Sequence, residues 1–195
     1  MSVPGQTSRN ASTRLPRLRF ERADAADAVA VAELLADAAD ALTRRHGGGP
    51  WTGSPSERGV LAAMRGGSEV WCAYRGHALV ATWALGRRKP WAIDLQYFSP
   101  EPCRPLYLTD MAVAPALQGR GVGRRCLERA LAAARAAGAD VVRLDAYADA
   151  GGAGGFYAAC GFREVGRASY RGTPHVYFEF PVSGEDGAPD GPLRG

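Results

Sequence analysis

Lysine is almost missing from this chain. Lys89 is the one lysine; the rest of the 24 basic side chains are arginine, set against 20 acidic ones for a net charge of +4. The arginines are scattered, and no basic run alternates with aromatic residues, so nothing describes a groove for nucleic acid, which is not an expected partner. Long apolar runs are missing too. None approaches the ~20 residues of a membrane-spanning helix, so no membrane partner is expected. The opening stretch, Met1 to Arg19, is polar and arginine-bearing with no apolar centre, unlike a secretory leader. Cys72, Cys103, Cys126 and Cys160 form no CxxC pair, and the histidines are only His46, His77 and His175. That pattern predicts no metal site and reduced thiols in a cytoplasmic protein. A length of 195 residues, 46% of them apolar, describes one soluble domain with a real core.

What is present centres on Gln118-Gly119-Arg120-Gly121-Val122-Gly123, between an apolar run (Leu106 to Val113) and a helix-periodic run (Val122 to Ala137). A strand, a glycine-rich turn and a helix N-terminus make an anion site, because the first backbone N–H groups of a helix lack intrahelical partners and the helix dipole adds partial positive charge. Glycines let an anion approach the backbone closely. Arg120, Arg124 and Arg125 add fixed charge there, attractive to an anionic cofactor. The loop is not a P-loop, since no Lys-Ser or Lys-Thr follows, and not a dinucleotide fingerprint, since Arg124 stands where the third glycine belongs.

The pattern that fits is Gln/Arg-x-x-Gly-x-Gly/Ala, and it resembles the pyrophosphate loop of the GNAT (GCN5-related) N-acetyltransferase superfamily. Upstream, Leu106-Tyr107-Leu108-Thr109-Asp110-Met111-Ala112-Val113-Ala114-Pro115 resembles the strand before that loop. Downstream, Phe156-Tyr157-Ala158-Ala159-Cys160-Gly161-Phe162 resembles the family's F-Y-x-x-x-G-F signature. The three pieces stand in the family's order and spacing. The fold this implies is α/β (α+β): a mixed central sheet of about six to seven strands flanked by helices, with central parallel strands that splay apart.

The order of elements follows from patterning. Met1 to Pro16 and Ser183 to Gly195 are polar tails on either side of a single domain, 17–182. Leu18 to Arg22 alternates as a strand; Ala25 to Arg45 is a helix capped by Asp24 and ended by Gly47-Gly48-Gly49-Pro50; Glu57 to Met64 is a second helix. Ser68 to Tyr74 and His77 to Leu85 form a hairpin around Arg75-Gly76. Trp91 to Phe98 reads as a strand or extended segment. Leu106 to Val113 is a central strand, apolar enough to be buried on both faces. The crossover through the helix makes Val141 to Tyr147 its parallel neighbour. A short helix from Ala153 to Cys160 follows, then a closing antiparallel pair, Arg163 to Ser169 and His175 to Phe180.

The resemblance also implies roles. Acetyl-CoA is the acetyl donor, and an amine of a small molecule or peptide attacks it directly. The backbone of Met111, Ala112 and Val113 pairs with the pantetheine arm, and a main-chain N–H near Val113 polarises the thioester carbonyl. Gln118, Gly119, Arg120, Gly121, Val122, Gly123 and Arg124 hold the pyrophosphate. Tyr157 lies where the family places its general acid, or else packs against the cofactor with no proton role. Asp110 is the first candidate for the base, with Asp94 and Glu101 behind it; it is otherwise a structural carboxylate or a counter-charge to the amine. Trp51, Trp91, Asp94 and Tyr97 either shape the acceptor pocket or pack in the core. Ala150 stands where many relatives have an asparagine that contacts the cofactor. A catalytically idle acyl-CoA-binding module and an enzyme acting on protein or charged tRNA are the alternatives. Homodimers are common in the family.

Overall fold

The computed structural model describes residues 17–53, 56–100, 104–149 and 151–182; the two expected tails, Glu101, Cys103 and Ala150 lie outside them. The chain runs β1 (Arg19–Arg22), α1 (Ala28–His46), α2 (Glu57–Arg65), β2 (Glu69–Arg75), β3 (Ala78–Gly86), β4 (Pro105–Val113), α3 (Val122–Ala136), β5 (Val141–Tyr147), α4 (Gly154–Ala159), β6 (Arg163–Tyr170) and β7 (Thr173–Pro181). The strands make one seven-stranded sheet in the order β1-β2-β3-β4-β5-β7-β6. Every neighbouring pair is antiparallel except β4 and β5, which are parallel as the crossover requires.

Local chemistry explains the helices. A capping box starts the first: Asp24 accepts from the Ala26 N–H at 2.7 Å, and Asp27 accepts from the Asp24 N–H at 2.9 Å. One turn of 3-10 helix, Ala25–Asp27, precedes α1, which stops at Gly47 with φ 83°. Ser56 caps α2. Buried positions of α1 and α2 (Val31, Leu35, Val60) pack on one sheet face against Val70, Cys72 and Ala84. On α3, Val122, Cys126, Leu127, Ala130, Leu131 and Ala134 form one buried stripe. That stripe joins Trp83, Leu108 and Leu144 on the opposite face. No helix among the described residues is long and apolar enough to cross a membrane.

Three expectations need correction. The segment from Trp91 to Phe98 is not a strand. It is a run of turns with a 3-10 helix at Leu95–Tyr97, because the Asp94 side chain caps that turn. Its apolar residues Ile93 and Phe98 instead pack over Tyr107 and Tyr177. The hairpin between β2 and β3 turns one residue later than expected, at Gly76 (φ 62°) and His77. Finally, β4 is not buried along its length. Leu106, Tyr107 and Leu108 are buried, but Thr109 to Val113 are not. The cause is a loss of pairing. β4 and β5 pair only from Pro105↔Val141 to Tyr107↔Arg143 and then part.

Behind the parting strands lies a charged core group. Arg143 on β5 and Glu179 on β7 are each 1% exposed and face each other across the sheet. Arg163 and the Ser99 hydroxyl both donate to the Glu179 carboxylate, and the Ser99 carbonyl accepts from Arg143 at 2.7 Å. Burial alone would raise the Glu179 pKa, but these donors hold it below the ordinary glutamate range. A carboxyl depressed in this way stabilises the fold above its unfolded pKa, and that contribution is lost as pH falls through the folded value. Glu179→Gln leaves the Arg143 charge buried without its carboxylate. It should cost about 3 kcal/mol in urea unfolding at pH 7, with a gap to the parent protein that narrows below about pH 4.

Candidate active site

The parting of β4 from β5 is reinforced by a bulge on the other edge of β4. Ala84 pairs with Thr109 and Thr82 with Ala112, so Asp110 and Met111 together face the single residue Trp83. Asp110 takes the left-handed conformation, φ 51°, which Asp tolerates better than most residues. Beyond the bulge the Ala114 N–H bonds to Val80 on the β3 side at 2.8 Å. Strand alternation then turns the backbone N–H and C=O groups of Met111 and Val113 the other way, into the gap that β5 has left.

A cleft of about 530 Å³ occupies this gap, lined by Met111, Val113, the loop glycines and Phe156. The loop reaches it through two left-handed glycines, Gly119 (φ 70°) and Gly121 (φ 76°). Gly121 is the N-cap of α3 and offers no side-chain cap, and the first turn holds no acid but Arg124 and Arg125. A 15-residue helix begun this way leaves its first N–H groups pointing at the cleft and its dipole uncompensated, which is the electrostatic signature of an anion site. At Gly123 the missing Cβ would lie 3.3 Å from Phe156 and 3.6 Å from Val113, so close contact there depends on glycine. These features fit a pyrophosphate-bearing cofactor. Val122 is 1% exposed, so only its backbone is available to a ligand. The Gln118 amide donates to the Val113 carbonyl at 3.1 Å, Arg124 donates to the Ala159 carbonyl at 3.4 Å, and Arg120 is exposed.

A second cleft, of about 680 Å³, lies on the other side of Met111, Tyr157 and the 151–153 turn, which line both. Tyr157 is 7% exposed and caged by Phe156, Phe162 and Phe178, with its hydroxyl 3.8 Å from the Met111 sulfur. Burial pushes its phenol well above the ordinary tyrosine range, and the negative charge of Asp145 adds to this. Asp110 opens into the second cleft, but the concave walls strip its carboxyl of much of its water. Its pKa is raised, chiefly by that desolvation, with hydrogen bonding from Thr109 opposing and Asp145 adding.

The expected acceptor residues divide. Trp91 is 79% exposed at the rim of the second cleft. Trp51 stands behind its wall: it packs against Tyr147, donates to the Thr43 hydroxyl at 3.2 Å, and fills the space that a Cβ at Gly49 or Gly151 would need. Asp94 and Tyr97 do not line this cleft. Asp94 caps its own turn, and Tyr97 packs on Tyr177 at 5.5 Å between ring centres. Two residues the sequence reading missed do line it, Asp145 and His175. The signal was there: β5 carries Arg143, Asp145 and Tyr147, and β7 carries His175, Tyr177 and Glu179, each at the alternate positions of an otherwise apolar strand. Glu101 and Ala150 lie outside the described residues. Among the described residues no group of three or more His, Cys, Asp or Glu could hold a metal ion.

Known proteins share this architecture. The fold is similar to that of the Salmonella typhimurium protein yncA, solved with its cofactor acetyl-CoA (TM-score 0.60, 19% identity, covering 89% of this chain and 98% of that one). It is similar to an acetyltransferase of Bacillus subtilis solved with CoA (TM-score 0.58, 19% identity, 85% and 99% covered). It is also similar to a ribosomal-protein-alanine N-acetyltransferase of Brucella melitensis (TM-score 0.59, 20% identity, 84% and 99% covered). No curated protein sequence matches the chain. The sequence pattern of the acetyltransferase (GNAT) domain matches residues 66–164, just over half of the chain, and takes in the bulged strand, the loop and Tyr157. The chain belongs to the GNAT acetyltransferase family.

Proposed function

We propose that this protein transfers the acetyl group of acetyl-CoA to a primary amine of a small molecule or peptide, by direct attack within a ternary complex. The observation that carries this reading is the meeting of two clefts at Met111 and Tyr157, beside an unpaired strand edge. One cleft suits the cofactor: the loop and the α3 N-terminus receive the pyrophosphate, and the gap-facing backbone of Met111 and Val113 receives the pantetheine amides. The other, with Asp110 on its floor, suits a cationic amine.

Acetyl-CoA supplies an acetyl thioester. In this reading the Val113 N–H stabilises negative charge on the carbonyl oxygen as nitrogen attacks. Asp110 attracts the ammonium form and holds the nitrogen near the junction, where it gives up one proton to solvent through the open cleft and so gains the lone pair that attacks. Tyr157 gives its phenol proton to the departing sulfur as the C–S bond breaks and the C–N bond forms. The nitrogen's surplus proton, lost as the amide forms, restores the phenol.

Thiol release from acetyl-CoA, followed with an aromatic disulfide reagent, should rise only when a primary amine is added and stay at background with tertiary analogues. Saturable acetyl-CoA binding without amine-dependent release, across small amines, peptides and aminoacyl-tRNA, would sink the transferase reading and leave a binding module.

A further inference from the structure

The transfer steps above leave one pair in the acceptor cleft unused. Asp145 on β5 and His175 on β7 are diagonal neighbours in the sheet, in the register Asp145↔Tyr177 and Tyr147↔His175. The Asp145 carboxylate lies 2.7 Å from His175 Nδ1. The imidazole is 5% exposed and is walled by the rings of Tyr147 and Tyr170, whose centres are 5.3 and 6.5 Å away. Nε2 has no hydrogen-bond partner among the described residues, and it is not one of the buried polar atoms cut off from solvent. Since His175 lines the cleft, that nitrogen opens into it. A carboxylate at Nδ1 selects the tautomer with its proton there, which leaves the Nε2 lone pair as an acceptor on the cleft side.

We propose that His175, oriented by Asp145, takes the proton from the acceptor's ammonium group and so makes the nucleophile. This rests on the transferase reading of the cleft. The choice of imidazole over Asp110 follows from geometry: the Nε2 lone pair has no partner among the described residues and is held in place through Nδ1, whereas the Asp110 carboxyl is already hydrogen-bonded by Thr109. Asp110 is left as the counter-charge that draws the ammonium in. The protons balance. One leaves the ammonium for Nε2 and passes to solvent through the open cleft. A second leaves nitrogen as the C–N bond forms and restores Tyr157, whose own proton has gone to sulfur as the C–S bond breaks.

The titratable and charged groups that share the cleft with the imidazole are Asp145 and Tyr147 from β5, Asp110 from β4, Tyr157 from α4, Tyr170 from β6, and Arg171 from the turn after it.

The test takes the primary amine, among phenethylamine, agmatine, spermidine and glycylglycine, that gives the fastest thiol release. For the parent protein, kcat/KM should rise with pH through one ionisation between about pH 5 and 8. His175→Gln should lower it about 10²-fold at pH 7 and erase that ionisation, with the Kd for acetyl-CoA unchanged. Asp145→Asn should lower kcat/KM at pH 7 and leave the His175 proton no longer fixed at Nδ1, because the carboxylate that selects that tautomer is gone. A separate readout needs no acceptor: long-range proton–nitrogen NMR of the imidazole in the parent protein should show Nδ1 protonated and Nε2 bare. An Nε2–H tautomer, or a His175→Gln variant that keeps rate and profile, overturns the proposal. If no amine drives thiol release from the parent protein, the transferase reading fails on its own, and the tautomer still decides whether His175 is poised as an acceptor.

Discussion

Aspartate at position 123 should raise the Kd for acetyl-CoA about 10³-fold in calorimetric titration, with the circular dichroism spectrum unchanged. Gly123 is in the first turn of α3, where the chain has left the helix dipole without an acidic side chain and without a side-chain cap. Its absent Cβ points between Phe156 and Val113, at 3.3 and 3.6 Å, into the wall of the cofactor cleft. A carboxylate there competes for the N–H groups that the pyrophosphate needs. Two unit charges about 4 Å apart repel by about 4 kcal/mol at an effective dielectric constant near 20. That energy is close to a factor of 10³ in affinity, and the pyrophosphate carries more than one charge. The acid complements the dipole, which offsets part of the cost of the Cβ contact with Phe156, so the helical fold should be kept. Gly123→Ala separates charge from bulk. Its methyl asks Phe156 to give by a few tenths of an ångström, and the loss should stay under about 10-fold. Unchanged binding by the aspartate variant would move the pyrophosphate away from this loop.

What could be read from the residues alone was what depends on near neighbours. The Leu106–Val113 strand, the glycine loop, the α3 stripe and the parallel return of Val141–Tyr147 all follow from periodicity and crossover handedness. The seven-stranded mixed sheet flanked by helices agrees with the α/β fold expected. What failed depends on distant partners. Trp91 to Phe98 has strand-like composition, but Ile93 and Phe98 are apolar because Tyr107 and Tyr177 lie beneath them, and the Tyr177 hydroxyl ties the segment down through the Ala92 carbonyl at 2.6 Å. The splay of β4 from β5 came from family resemblance rather than from composition. It is reinforced by an aspartate in a left-handed bulge, which no period-2 pattern reveals. The Asp145–His175 pair spans 30 positions and exists only through the β5–β7 register. Polar residues at alternate positions of a buried strand were its one trace. Asp94 is the converse case: an acid among aromatics looks like a binding site, yet its carboxylate is occupied by the backbone N–H and side-chain amide of Gln96.

Tyr157→Phe should lower kcat for amine acetylation by about 10² to 10⁴-fold, the range of a positioned general acid, and leave the Kd for acetyl-CoA as it was. The two effects separate because the ring and the hydroxyl do different things here. The ring packs edge-on or tilted against Phe156, Phe162 and Phe178, with centres 5.2 to 6.0 Å away, and phenylalanine keeps every one of those contacts. Among the described residues the hydroxyl's one hydrogen-bond partner is the Met111 sulfur, at 3.8 Å, a weak acceptor whose loss is minor for the fold. Its effect should therefore appear in the rate and not in binding. The shift of its pKa also has a consequence. Burial, with Asp145 nearby, pushes the phenol upward, so it stays protonated across the neutral range and contributes no acid limb to the rate profile. Any limb between about pH 5 and 8 then belongs to another group, and Tyr157→Phe should lower the whole profile without changing its shape there. A phenol raised this far is a reluctant donor to a solvated thiolate. Loss of water at the same junction would raise the departing thiolate in the same direction, which keeps donor and acceptor closer together. If phenylalanine at 157 keeps kcat, the sulfur leaves unassisted or takes its proton from water, and the aromatic cage is only packing.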